Sequence, residues 1–231
     1  MRRREPTVER RDVRALMSRL SVLGAHEQWP ERTEFWPSEI EVALTDAIYS
    51  ANANYGSARS DDRGATGVFR VIEVLRTKRG EGNLDNLPAL IDLLENDPPF
   101  VLGNESCSPG VPTKKETNLR LIAEALVAAD VSSGRDVKKY IQDSGGFFWP
   151  RHPKQGRVGG VAGATWSYFL INLGYPRVKA DRMICRFVSE AIGREANPEL
   201  AASLVTRAAE QSAVPVVDLD FAIWSYQRRQ G

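Results

Sequence analysis

Apolar residues recur at steps of three and four positions along most of this chain, which is the spacing of one face of an α-helix. The stretches 13–23 and 119–126 show this spacing most clearly. One run of β-branched residues stands out, Val214–Val217, and Pro215 interrupts it, which disfavours a strand because proline lacks the backbone N–H. The pattern therefore predicts an all-α protein with short connections between its helices.

Ten helices are predicted from this spacing and from the residue types that begin and end helices. They cover 13–23, 40–48, 68–75, 87–94, 117–129, 137–141, 165–173, 182–192, 198–211 and 219–226. Ser38 follows Pro37 just before the second of these helices, so we expect Ser38 to be its N-cap. The stretch 103–112 is rich in Gly, Ser and Pro and predicts a surface loop.

A length of 231 residues with a hydrophobic content of 42% suffices for one compact core or for two small lobes. Since 31 Lys and Arg nearly balance 30 Asp and Glu, whole-chain disorder and a polybasic tail protein are excluded. No run approaches the roughly 18 apolar residues that span a bilayer. The basic start lacks the apolar stretch of a secretory signal. We therefore expect a cytoplasmic protein without a membrane partner.

Cysteine and histidine are scarce in this chain. Cys107 and Cys185 are its only cysteines, too few for a disulfide framework, a four-cysteine zinc site or a four-cysteine iron–sulfur cluster. His26 and His152 are its only histidines, and neither has the spacing of metal ligands. We expect a solvated His26, a loop position for His152, and no metal site.

A glycine-rich segment, 158–165, opens the apolar helix that follows it. Small residues in a turn let the backbone approach another backbone or a phosphate closely. The N–H groups at the start of the next helix then form a site for an anion. A purely structural turn between two helices is the alternative.

The segment Gly174–Asp181 then leads into the helix that begins at Arg182. A glycine turn, a helix, and a Pro-containing loop that ends in Asp at a helix start resemble the helix–hairpin–helix superfamily of DNA glycosylases, which includes endonuclease III. The hairpin of that family reads Leu-Pro-Gly-Val-Gly-x-Lys-Thr-Ala, and its catalytic Asp follows one helix later. Here Gly160-Val161-Ala162 matches the Gly-Val-Gly turn, Thr165 matches the Thr, and Asp181 falls at the catalytic Asp.

Two further segments carry the resemblance. Arg186 follows Asp181 at the spacing of an Arg in the family pattern. The segment Tyr49-Ser50-Ala51-Asn52-Ala53-Asn54 resembles the family's Leu-Ser-Ala-Gln-Ala-Thr, which places Asn52 at the residue that wedges into the duplex. The motifs occur in the family's order between Glu39 and Phe187.

The resemblance implies a two-lobed all-α fold with a cleft between the lobes that holds DNA. A six-helix lobe would cover 38–175 and include the helix–hairpin–helix, and 1–37 with 176–231 would form the second lobe. It implies a monomeric, nucleoid-associated enzyme of base excision repair, which flips a damaged or mismatched base out of double-stranded DNA. Asp181 would be catalytic, because a carboxylate near the deoxyribose stabilises oxocarbenium charge and orients water for hydrolysis of the N-glycosidic bond.

The chain departs from the family at three points. The hairpin lysine that attacks the sugar in bifunctional members is Ala164 here, which implies a monofunctional enzyme without lyase activity. The iron–sulfur cysteines are missing, and Met183 stands where a His often follows the Asp. No cofactor is implied, apart from a monovalent cation at the hairpin. The alternatives are a bifunctional enzyme that uses Lys179 as its amine, a DNA-binding module without catalysis, and an all-α adaptor that binds protein.

The expected DNA contacts lie in the wedge segment, in the hairpin and in the loops beside the hairpin and Asp181. They are Asn52, Lys154, Arg157, Gly160, Ala162, Gly163, Ala164, Thr165, Lys179 and Arg182. Between Pro150 and Glu190, seven basic residues stand against two acidic ones, in a chain whose net charge is +1. Such a local excess is typical of a phosphate-binding face.

Each candidate also has a purely structural interpretation. Asp181 can be a plain N-cap, since Asp is among the commonest cap residues. Asn52 can simply end its helix, and the basic residues can form a solvated surface. Phe148 and Trp149 are candidates for a wall that stacks on the extruded base, and packing in the core is their alternative.

Overall fold

The computed structural model of this chain describes residues 9–32, 35–53, 55–58, 64–80, 82–96, 101–144 and 149–230. These residues form ten α-helices and no β-strand, so the all-α prediction is confirmed for them. The helices are α1 (Arg10–Leu20), α2 (Ile40–Tyr49), α3 (Gly67–Arg79), α4 (Leu87–Asn96), α5 (Lys115–Val127), α6 (Gly134–Ser144), α7 (Gly163–Asn172), α8 (Arg182–Ile192), α9 (Pro198–Ser212) and α10 (Val216–Gln230). Two short 3₁₀ helices, Ser21–Leu23 and His26–Gln28, follow α1.

The described residues divide into two compact units. The first unit consists of those in 1–34 and 175–231, and it holds α1 and α8–α10. The second unit consists of those in 35–174, and it holds α2–α7. The resemblance to DNA glycosylases predicts a division at 37/38 and 175/176. Among the described residues, no helix is both long enough and apolar enough to cross a membrane.

The core of the first unit is an apolar cluster between its four α-helices. Leu16, Phe187 and Leu204 are fully buried in it. The side chain of Asn197 caps the start of α9, and Pro198 occupies the first turn, where its missing N–H costs nothing. Packing of amphipathic helices around one cluster is what the three- and four-residue spacing predicts.

The β-branched run at 214–217 lies at the start of α10. The carbonyl oxygen of Pro215 accepts the N–H groups of Asp218 at 3.1 Å and of Leu219 at 3.2 Å, which begins the helix. A proline at a helix start is favourable, because the first N–H groups of a helix have no partner inside it.

α2 is the central helix of the second unit, and all of its residues are buried. It packs against α3, α4, α5 and α7. Its two buried carboxylates have partners. Glu41 pairs with Arg79 at 2.8 Å, and Asp46 accepts hydrogen bonds from Trp36 Nε1 at 3.1 Å and from the Tyr55 hydroxyl at 2.9 Å. Burial on every face fixes the position of both ends of this helix.

Ser38 does not cap α2, so that prediction is wrong. The N-cap position is Glu39, whose side chain makes no capping bond, and the N–H of Ile40 donates to Asp85 Oδ1 at 3.3 Å. The same oxygen accepts the N–H of Gly134 at 2.7 Å, at the start of α6. Asp85 therefore joins two helix starts from a loop that is distant from both in sequence.

Candidate functional site

Asp181 is the N-cap of α8. Its Oδ1 accepts the N–H of Met183 at 2.8 Å and the N–H of Ile184 at 3.2 Å. The residue is half-buried, and its Oδ2 makes no hydrogen bond or ion pair with any residue that the structure describes. The capping role and the presentation of a carboxylate oxygen to a ligand are therefore compatible, because they use different oxygens.

The turn before α8 is held by a residue that the sequence did not indicate. The N–H of Asp181 donates to the carbonyl oxygen of Lys179 at 2.5 Å. The N–H of Lys179 donates in turn to Oδ1 of Asp220, which comes from α10 and is 5% exposed. The available signal was an acidic residue next to the apolar face of the predicted helix 219–226, since a buried acid needs a partner.

The environment of Asp220 changes its acidity. Burial, and after it the negative charge of Asp181, raise the pKa of Asp220 to about 7, and the positive charges of Lys179 and Arg32 oppose this change. A carboxylic acid that titrates near neutral pH beside another carboxylate is a common feature of functional sites.

The basic residues near Asp181 differ in their surroundings. Arg182 lies in the first turn of α8, is exposed, and forms no ion pair with the described residues. Lys179 is half-buried, and burial lowers the pKa of the half-buried Arg177. Arg186 is exposed as well, but its guanidinium donates to Gln227 Oε1 at 2.5 Å and to the Gln227 carbonyl at 3.1 Å. Arg182 is thus exposed and without a side-chain partner among the described residues, which leaves its guanidinium available to a ligand.

The glycine turn of the second unit packs tightly on one side. Gly160 has φ +74°, and a Cβ there would lie 2.7 Å from Ser108 Cβ and 2.7 Å from Val111 Cγ2. Asn118 of α5 donates from its Nδ2 to Ser108 Oγ at 2.6 Å and to the carbonyl of Gly159 at 2.8 Å. On this side, the small residues permit close packing of the turn against the 103–112 loop.

The other side of the turn is open. α7 begins at Gly163, and its N-cap Ala162 has no side-chain oxygen to accept the first N–H groups of the helix. Ala162 and Gly163 are exposed, Ala164 is half-buried, and a Cβ on Gly163 would meet no protein atom within 4 Å. Thr165 is buried, and its N–H donates to the Ala162 carbonyl at 3.1 Å. An uncapped, exposed helix start of this kind attracts anions.

Exposed cations lie just before this helix start. Arg151, Lys154 and Arg157 are exposed, and none of them forms an ion pair with a described residue. The loop that carries them closes through a pair of backbone hydrogen bonds between His152 and Gly156, at 2.7 and 2.8 Å. The three charges are therefore available to phosphate groups of a ligand.

His152 lies in this loop, as predicted, and is buried there. Its Nδ1 accepts the N–H groups of Lys154 at 3.2 Å and of Gln155 at 3.1 Å, so its proton is on Nε2. Nε2 donates to Glu124 Oε2 of α5 at 2.6 Å. These bonds fix the backbone that carries Lys154. His26 is exposed and lies 3.5 Å from an Asp218 oxygen.

The connection between α6 and α7 differs from the predicted hairpin. α6 ends at Ser144 and α7 begins at Gly163, and the residues described between them, 149–162, form no helix. The glycine turn thus precedes a helix without directly following one, and the helix–hairpin–helix interpretation stays a prediction.

Trp149 packs against the side chains of α7. Its ring centroid lies 4.8 Å from that of Trp166 and 5.3 Å from that of Phe169. Trp149 Nε1 is buried and has no hydrogen-bond partner among the described residues. Phe148 lies outside the described residues. Stacking of either ring on an extruded base stays a prediction.

Asn52 stands at an exposed tip just after α2. It adopts a left-handed backbone conformation, with φ +50°. The buried Lys115 of α5, only 2% exposed, donates from Nζ to the carbonyl oxygens of Tyr49 at 2.9 Å and of Ala51 at 2.7 Å. Burial lowers the pKa of Lys115. Lys115 therefore fixes the backbone just before the tip, and the side chain of Asn52 is exposed.

The first turn of α5 connects the two predicted DNA-contact segments of the second unit. Lys115 binds the segment that carries Asn52, and Asn118, three residues later, binds the glycine turn through Gly159. Residues three apart on a helix lie about 5–6 Å from each other on its surface. The structure thus brings both segments to the same end of α5, whereas Asp181, Lys179 and Arg182 belong to the first unit.

The described residues contain no group of three or more His, Cys, Asp or Glu side chains that could hold a metal ion. A monovalent cation at the glycine turn stays a prediction.

The described part of the chain is all-helical, with two compact units that each contain predicted site residues. The chain belongs to the protein family described as Domain of unknown function (DUF8548), whose match covers residues 14–228. Neither a search of curated proteins nor a search of solved structures returned a match. The resemblance to DNA glycosylases therefore depends on the sequence motifs alone.

Proposed function

We propose that this protein is a monofunctional DNA glycosylase, which flips a damaged or mismatched base out of double-stranded DNA and hydrolyses its N-glycosidic bond. The observation that carries the proposal is the Asp181 carboxylate, which caps α8 through Oδ1 and keeps Oδ2 without a partner among the described residues. The glycosidic electron pair leaves with the base, which takes up a proton, and water adds to C1′ of the sugar. Asp181 stabilises the positive charge on the sugar and accepts the proton that the water loses.

The second unit supports the DNA-binding part of the proposal. The start of α7 offers uncapped N–H groups, and the loop before it offers Arg151, Lys154 and Arg157 as exposed cations. Such groups bind the phosphates of DNA whatever its base sequence. A flipped base leaves a gap in the stack, and Asn52, on its firmly held tip, has the exposure needed to fill it.

The proposal is tested with a set of duplexes that each carry one modified or mismatched base. Free base is measured directly, and abasic sites are measured as strand breaks after hot alkali. We expect release from at least one duplex. Salt-dependent binding without release from any duplex would favour the DNA-binding module, and absence of both would favour the protein-binding adaptor.

Duplex binding should weaken steeply as salt increases. Each phosphate that is neutralised contributes a slope of about −0.9 to the plot of log affinity against log salt. Replacing Lys154 and Arg157 by Glu should flatten this slope, because both side chains are exposed and unpaired within the described residues. Arg70→Glu, an exposed site on α3 of the same unit, is the matched control and should change the slope less. If Lys154→Glu, Arg157→Glu and Arg70→Glu all kept the wild-type slope, the loop before α7 would not contact DNA.

Wild-type protein should give no borohydride-trapped adduct with duplex DNA from which it releases a base. A Schiff base requires an amine at the sugar carbon, and the residue at the family's lysine position is Ala164. Denaturing gels after borohydride treatment measure the adduct. Trapping by the wild type that is lost in Lys179→Gln would identify Lys179 as the amine and would make the enzyme bifunctional.

A further inference from the structure

Asp220 is linked to Asp181 through a single residue. Asp220 Oδ1 accepts the N–H of Lys179 at 3.0 Å, and the carbonyl oxygen of Lys179 accepts the N–H of Asp181 at 2.5 Å. Asp220 comes from α10, whereas the turn precedes α8, so this contact ties the start of α8 to another helix of the first unit. The orientation of the Asp181 carboxylate thus depends on a side chain 39 positions later in the chain.

The surroundings of Asp220 favour its neutral form at pH 6, chiefly because the carboxyl group is buried. It is almost completely buried, and burial is the largest cause of its raised pKa, about 7. The next cause is the negative charge of Asp181, and Lys179 and Arg32 act in the opposite direction without cancelling these effects. A neutral carboxylic acid still accepts a hydrogen bond through its carbonyl oxygen, so the bond from Lys179 survives protonation.

We propose that Asp220 is a positioning residue for Asp181, because its carboxyl group holds the Lys179–Asp181 turn through the N–H of Lys179 and so fixes the direction of the Asp181 carboxylate. Ionisation of Asp220 would place a second negative charge beside the half-buried Asp181 carboxylate, and repulsion between the two like charges would disturb the turn. The effect on excision depends on the proposed glycosylase function, whereas the coupling between the two carboxyl groups does not.

The coupling predicts how the stability of the folded protein changes with pH. Between the ordinary pKa of 3.8 and about 7, folded Asp220 holds a proton that the unfolded chain has released. The stabilisation of the folded protein by the proton on Asp220 is therefore fully present below pH 4, and it is lost as the pH rises to about 7. The ratio of the wild-type unfolding constant to that of Asp220→Asn should increase about tenfold per pH unit across this window. Denaturant unfolding of both proteins from pH 4 to pH 8 measures this ratio.

Two further variants make this measurement specific. Asp181→Asn removes the negative charge beside Asp220. In an Asp181→Asn background, the pH range over which the ratio of unfolding constants changes should therefore end at a lower pH. Asp218→Asn, on the same helix and about half exposed, should leave the window unchanged. The carboxyl carbon resonance of Asp220 in the wild-type protein gives the same titration without any variant. An unchanged Asp220 titration in Asp181→Asn, or a titration near pH 4 in the wild type, would overturn the proposal.

The readout for function is the pH profile of excision. We expect wild-type excision to decline above pH 7, and Asp220→Asn to keep its pH 6 rate at pH 8 with unchanged DNA affinity. A parallel decline in both proteins would overturn the positioning role. If the wild type excises nothing at any pH, the glycosylase proposal fails, and the resonance titration still decides whether the two carboxyl groups are coupled.

Discussion

Replacing Asp181 by Asn is expected to lower base excision by about 10²- to 10⁴-fold, the usual contribution of a general base or of a charge beside a cationic transition state. Asn is among the best N-cap residues, so the start of α8 should keep its bonds to Met183 and Ile184. DNA affinity should stay the same or rise, because the change removes a negative charge that phosphates repel. Single-turnover excision and fluorescence anisotropy measure the two quantities separately.

The first unit offers a matched control for this experiment. Asp181 caps α8 and Asn197 caps α9, each with its side-chain oxygen on backbone N–H groups. Replacing either residue by Ala should cost about 1 kcal/mol of stability through the lost cap. Only Asp181→Ala should abolish excision. Wild-type rates in Asp181→Asn, or equal losses in both Ala variants, would assign Asp181 a purely structural role.

Gly160→Ala is expected to destabilise the protein by about 2–5 kcal/mol. A left-handed backbone costs an L-residue about 1–2 kcal/mol, and forcing a methyl group into filled space adds about 1–3 kcal/mol. At Gly160 both apply, because φ is +74° and the new Cβ would lie 2.7 Å from side-chain atoms of Ser108 and Val111. Urea unfolding gives the change in free energy.

Gly163→Ala is the comparison on the open side of the same turn. Its methyl group would meet no protein atom within 4 Å, and the position is the first of α7. Stability should therefore change by less than about 0.5 kcal/mol. DNA affinity should fall, since the methyl group would occupy the space before the uncapped N–H groups. Unchanged affinity in Gly163→Ala would place the phosphate site elsewhere, and a stable Gly160→Ala would contradict the packing of the turn.

The helices were predictable because each depends on the local spacing of apolar residues. The helix predicted at 40–48 is α2, which ends at Tyr49, and the helix predicted at 182–192 is α8. Contacts between distant segments were not predictable. Asp85 caps α2 in place of Ser38, and only the folded chain brings Asp85 to Ile40.

The same distinction applies to the candidate site. Asp181 stood out because a motif and a helix start coincide there. Asp220 did not stand out in the sequence. Its importance comes from its burial beside the turn before α8, and this contact exists only in the folded chain. The sequence did not indicate Lys115 either, which is buried with two backbone carbonyls from a distant segment as partners.

The first turn of α5 also has a consequence for folding order. Lys115 bonds to a carbonyl 66 positions away and Asn118 to one 41 positions away, so neither bond can form from local structure. Contacts of such separation require closure of long loops, and they form after the local helical turns. The Asn52 tip and the start of α7 therefore acquire their fixed spacing only when both of these remote segments have docked on α5. A partly folded second unit would contain most of its helices and still lack this surface.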